Sequence, residues 1–161
     1  MTVAVSLSLD ARAELERLAM RDYPHEACGT LLGSERRDGT LHIEHVRSAR
    51  NLASDPSLHF ELHPGDLVRA EQFARENGLE IIGIWHTHPD QPARLSASDV
   101  QGVWNGWIQL IASVDANGVS ERRVWRLDAP SPIECPILNE AQRATPFGAA
   151  RRSAEPNSPA G

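Results

Sequence analysis

The chain has 161 residues, 40% of them hydrophobic, and a formal net charge of −6. That length suits one domain around a single core, and no apolar run approaches the roughly 20 residues of a membrane-spanning helix. The acidic balance, with no basic run interleaved with aromatics, argues against nucleic acid as a partner.

Val3–Leu9 alternates and reads as a short first strand. Asp10 can cap a helix running to about Arg21, with Leu15, Leu18 and Ala19 on one face. Gly29–Glu35 and Leu41–Arg47 read as a hairpin turning through Asp38-Gly39. Asn51 and Ser54-Asp55-Pro56 form a loop that can border a substrate groove, and His59–Leu62 is another short strand. Pro64 begins a helix that ends near Asn77-Gly78. Ile81-Ile82-Gly83-Ile84-Trp85 is apolar and β-branched, hence a buried strand. Pro89 stops it, having no N–H for a ladder. After the loop Asp90-Gln91-Pro92, Ser96-Ala97-Ser98-Asp99 opens a helix with Val100, Val103 and Trp104 as its apolar side. Trp107–Val114 and Arg122–Leu127 make a second hairpin, and Ile133–Leu138 a last strand. A domain over 1–143 is expected, followed by a tail over 144–161 rich in Pro, Ala, Ser, Gly and Arg. The tail should be disordered from about Ala149.

The run His86-Thr87-His88-Pro89, then Ser96 and Asp99, carries the chemistry. Side chains at i and i+2 on a strand share a face, so His86 and His88 point the same way at the strand's end. Asp99, in the first turn of the following helix, can swing back as an oxygen ligand. Two imidazoles and a carboxylate suit one zinc ion with its fourth position open to water, as in catalytic zinc sites. Ser-x-x-Asp before an apolar stretch is also a capping-box pattern. The two readings are compatible, since a capping turn can hold both groups in position. Hydrolysis also needs a general base, and Glu26 stands upstream, before an apolar segment punctuated by glycine.

Pro24, Glu26, Cys28, Gly29, Leu31 and Gly33, followed by His86, His88, Pro89, Ser96 and Asp99, resemble the signature of the JAMM (MPN+) metalloprotease family. The likeness runs from about Tyr23 to about Trp104, and short bacterial members look most similar. It implies an α/β, single-domain MPN-type fold, cytidine-deaminase-like, with a curved mixed sheet flanked by helices. It implies zinc, one per chain, on His86, His88 and Asp99. Glu26 then activates the bound water, and Ser96 helps stabilise the oxyanion. The implied activity is hydrolysis of a peptide or isopeptide bond after the C-terminal Gly-Gly of a ubiquitin-like or sulfur-carrier protein. The alternatives are a zinc peptidase on another peptide substrate, or a non-catalytic interaction scaffold.

The remaining features are read as structural. His42 and His45 are taken as strand or surface residues and His25 as an exposed loop histidine. Cys28 is taken as a small buried hydrophobe. Cys28 and Cys135 form no Cys-x-x-Cys pair, and no secretory signal is expected, so a reduced cytoplasmic setting is the expectation. Oligomeric state is not legible.

Overall fold

A computed structural model describes residues 3–55, 61–99, 106–127 and 131–139. In chain order the elements are β1 (Val5–Leu7), α1 (Leu9–Asp22), β2 (Cys28–Glu35), β3 (Leu41–Ala49), α2 (Pro64–Glu76), β4 (Glu80–Pro89), β5 (Ile108–Asp115), β6 (Gly118–Arg126) and β7 (Ile133–Cys135). The first strand is shorter than its alternation suggests, because Ser8 and not Asp10 caps α1. Its hydroxyl accepts from the Ala11 N–H at 3.0 Å, so the helix already begins at Leu9. Pro64 opens α2 as expected, with the His63 side chain accepting from the Gly65 N–H. β6 begins at Gly118, ahead of the expected Arg122. Of the expected strand at His59–Leu62, Leu62 forms a single bridge with Asn51, and residues 59–60 lie outside the described residues. Residues 97–99 form a turn. The helix expected beyond it falls on 100–105, also outside them, as does the tail over 144–161.

The strands form one mixed sheet in the order β1-β3-β2-β4-β5-β6-β7. Its two edges meet: the Val5 N–H donates to the Pro136 carbonyl at 2.9 Å, and the Leu138 N–H to the Val5 carbonyl at 2.8 Å. The sheet thus curls nearly into a barrel and leaves no open ladder at that seam. Leu31 and Leu32, adjacent on β2, project to opposite faces. Leu31 packs with Leu15 and Leu18 of α1 and with Trp85 and Leu110, whereas Leu32 packs with Ala70 and Ala74 of α2. The helices therefore flank the sheet. No helix among the described residues is long and apolar enough to cross a membrane.

Two features of this topology position the site. β2 runs antiparallel to β4, with Cys28 opposite His86. β4 and β5 are parallel, so the chain between them must cross back over the sheet. That crossover carries Pro92, Ser96 and Asp99.

The β2–β3–β4 approach is close at Gly29. A Cβ there would run into the Arg47 carbonyl oxygen and lie 2.6 Å from Trp85 Nε1. The Trp85 indole N–H donates to that same carbonyl at 2.9 Å. Gly29→Ala is therefore expected to lower the unfolding free energy by about 1–3 kcal/mol, read from urea denaturation. An unchanged midpoint at unchanged slope would remove this contact from the account of stability.

Candidate metal centre

The sheet and its crossover bring His86, His88 and Asp99 into one group. A ligand atom from each lies within 4.8 Å of the others, and all three residues are buried. His86 Nε2 stands 3.1 Å from His88 Nε2 and 3.2 Å from Asp99 Oδ1, and His88 Nε2 lies 3.3 Å from Asp99 Oδ2. Each imidazole thus faces a different oxygen of the Asp99 carboxylate, and one ligand atom from each residue can converge on a single cation. His88 is oriented from behind by the Pro92 carbonyl, 3.0 Å from Nδ1. A proton on Nδ1 donates there and leaves Nε2 facing the group.

Asp99 is held by the local turn the sequence pattern predicts. The Ser96 N–H donates to Asp99 Oδ2 at 2.8 Å, and the Asp99 N–H donates to Ser96 Oγ at 3.2 Å. This is a reciprocal capping box with Asp in the third position. The same carboxylate thus closes the turn and faces both imidazoles. Ser96 is itself exposed, its hydroxyl 3.0 Å from that of Ser98.

Glu26 reaches the group through strand pairing. The Thr87 N–H donates to the Ala27 carbonyl at 2.9 Å, and the Ala27 N–H donates to Thr87 Oγ1 at 2.8 Å. With Cys28 opposite His86 and Ala27 tied to Thr87, the next antiparallel step sets Glu26 opposite His88. Directly opposed residues share a face. The Glu26 backbone is pinned again by Asn51, whose Nδ2 donates to its carbonyl at 3.2 Å. Asn51 Oδ1 accepts from the N–H groups of Ala53 and Glu61. The base of the loop after β3 is therefore tied to the site.

Burial pushes the Glu26 carboxyl up from 4.5 to about 7; the positive charge of His88 opposes this and the negative charge of Asp99 adds to it. Burial also works to raise Asp99, but its hydrogen bonds with His86 and His88 outweigh it and hold the carboxyl far below the usual range. Burial lowers His86 more than Asp99 raises it. In His88 the balance goes the other way, with Asp99, the Pro92 carbonyl and Glu26 overcoming burial. Cys28, 1% exposed, has its thiol pushed up to about 12 by burial and is inert as a nucleophile.

The sequence pattern missed Thr87 and Gln109. Thr87 is buried on the strand between the two histidines and clamps Ala27. Gln109, fully buried on β5, has its amide nitrogen 3.3 Å from His86 Nδ1. A long amide inside the run 108–114, whose other polar residue is the small Ser113, was the available signal. His42 is buried on β3, with Nδ1 2.8 Å from the Ser6 hydroxyl, while His25 and His45 are exposed.

The family described as prokaryotic homologs of the JAB domain matches residues 8–128. A desampylase of Haloferax volcanii is 33% identical over 117 residues, 69% of this chain and 81% of that protein. A desampylase of Pyrococcus furiosus is 32% identical over 108 residues, 67% of this chain and 71% of that protein. The solution structure of a protein from Desulfitobacterium hafniense superposes with a TM-score of 0.73 at 28% identity. It covers 83% of this chain and 91% of that one.

The raised Glu26 pKa has a measurable sign. In the metal-free protein the folded state keeps the Glu26 proton up to about pH 7, whereas the unfolded chain loses it near 4.5. The carboxylate therefore lowers stability as pH rises from about 4.5, with its full effect above about 7. Metal-free Glu26→Gln is expected to exceed the parent in stability at pH 8, by up to about 3 kcal/mol. The advantage should shrink toward pH 4.5. Equal stability of the two proteins across that range would contradict a buried, raised Glu26.

Proposed function

The chain belongs to the prokaryotic homologs of the JAB domain, and from that premise we propose that it is a zinc-dependent peptidase. It acts on a peptide or isopeptide bond after the C-terminal Gly-Gly of a ubiquitin-like or sulfur-carrier protein. The observation that carries this reading is the His86–His88–Asp99 group with buried Glu26 beside it.

The donor set fits zinc. Two imidazoles and a carboxylate are the ligand types zinc takes, and one ligand atom from each residue lies within 4.8 Å of the others. His86, His88 and Asp99 would hold the ion, with the fourth position left to water. When bound, zinc acts as a Lewis acid and lowers the pKa of water to about 7.

Glu26 takes the proton of the attacking water on a carboxylate oxygen and returns it to the leaving amine. A carboxyl at about 7 suits both transfers near neutral pH. Ser96 Oγ accepts the Asp99 N–H and, with the Ser98 hydroxyl donating to it as well, keeps its own hydrogen to donate to the developing oxyanion. One good donor of that kind contributes roughly 3–4 kcal/mol. Thr87 holds the adjacent Ala27 against β4, and Asn51 holds the Glu26 carbonyl, while the proton moves.

The substrate class is supported by the two relatives named desampylases, which remove a ubiquitin-like modifier. A Gly-Gly tail also suits a buried centre, since glycine lets the substrate backbone approach closely.

Asp99→Ala is expected to lose stoichiometric zinc in metal analysis. Glu26→Gln should keep zinc and lose turnover by about 10²–10⁴-fold; retention of parental activity would remove Glu26 from the mechanism. The substrate is tested by intact mass of a β-grasp carrier extended one residue beyond Gly-Gly. Loss of that residue only with zinc-loaded, Glu26-intact enzyme is the expected result. No mass change with zinc bound would reject this substrate in favour of another peptide.

A further inference from the structure

Gln109 is an anomaly in its strand. It is 0% exposed in a run that also buries Ile108, Leu110, Ile111, Ala112 and Val114, with the small Ser113 the other buried polar residue. An amide in that position is costly unless both of its ends find partners. Its nitrogen faces His86 Nδ1 at 3.3 Å, and its Oε1 has no hydrogen-bond partner among the described residues. The parallel register, which sets Gln109 beside Ile84, brings the amide to the back of the His86 ring, opposite the edge that faces Asp99 and His88.

We infer that Gln109 is the positioning residue for His86, setting which ring nitrogen is presented to a cation. This rests on the metal-centre reading above. With the amide nitrogen toward Nδ1, that atom is an acceptor and the ring hydrogen sits on Nε2, directed at Asp99. A ring that ligates through Nε2 must instead carry its hydrogen on Nδ1 and donate it. A 180° turn of the amide presents Oε1, the end with no partner now, to that hydrogen. The amide thus accommodates both states of the ring, and in the ligating state it locks the ring's orientation. His88 obtains the same support from the Pro92 carbonyl, which can only accept.

Two near-isosteric variants separate the roles of the amide's two ends. Gln109→Glu keeps an acceptor and removes the donor; Gln109→Met removes both. Zinc affinity is read by competition with a chromophoric chelator, after circular dichroism has confirmed folding. Gln109→Met is expected to bind zinc about 10–100-fold more weakly, and Gln109→Glu within a few-fold of the parent. In the zinc-loaded parent, 15N-labelled histidine should show His86 protonated at Nδ1. Parental affinity in Gln109→Met, equal losses in both variants, or an Nε2-protonated His86 in the zinc-loaded parent would each overturn the inference. Should Gln109→Met fail to fold, the Gln109→Glu affinity and the parent's nitrogen shifts still decide it. A parent protein that takes up no zinc overturns the metal-centre reading itself, an outcome distinct from a zinc-competent parent indifferent to Gln109.

Discussion

The antiparallel pairing of β2 with β4 is the constraint on which the site depends. Cys28 lies opposite His86, and the Thr87 N–H and hydroxyl both engage Ala27. A slip of one residue would turn every side chain of one strand to the other face. It would separate Glu26 from the imidazoles while leaving each strand intact. The register is therefore secured twice, by Trp85 laid over Gly29 and by the buried Thr87 hydroxyl.

That scaffold confines four titratable groups to a buried space. Burial works against the charged form of each, and the groups answer differently because their partners differ. Asp99 stays ionised between two imidazoles and a backbone N–H. Glu26, for which burial outweighs the charge of His88, is pushed toward its neutral form. One carboxyl is held ionised and the other kept near neutrality by surroundings alone. The two histidines likewise part, His86 toward neutrality and His88 toward charge. A site of this kind opposes the stability of the fold around it, which the curled sheet and its flanking helices must supply.

Polar residues in apolar strands mark where the scaffold serves the site. Thr87 and Gln109 occupy positions that an ordinary buried strand fills with Val, Ile or Leu. Both reach toward the His86–His88–Asp99 group, Thr87 through Ala27 and Gln109 through His86. Asn51 plays a similar part where β3 ends, linking the following loop to the Glu26 backbone. None belongs to the signature, since each acts on the backbone or the far side of a ring.

Much of the site was legible in the sequence because its spacing is local. Period-two alternation puts His86 and His88 on one face, and the Ser-x-x-Asp turn aims Asp99 regardless of what surrounds it. The helices at Leu9–Asp22 and Pro64–Glu76, the hairpin strands and the buried strand before the histidines follow from the same short-range patterns. The tertiary structure decided what depends on distant partners. Ser8 displaced Asp10 as the cap because its hydroxyl meets the Ala11 N–H once β1 has ended. His42 is buried where β1 pairs with β3 and sets the Ser6 hydroxyl beside its ring. Glu26 and His88, far apart along the chain, oppose each other only through the β2–β4 register. Gln109 stands behind His86 only because β5 runs parallel to β4. Residue order specifies side-chain periodicity and turns, whereas pairing register and burial arise from contacts between segments that no local pattern encodes.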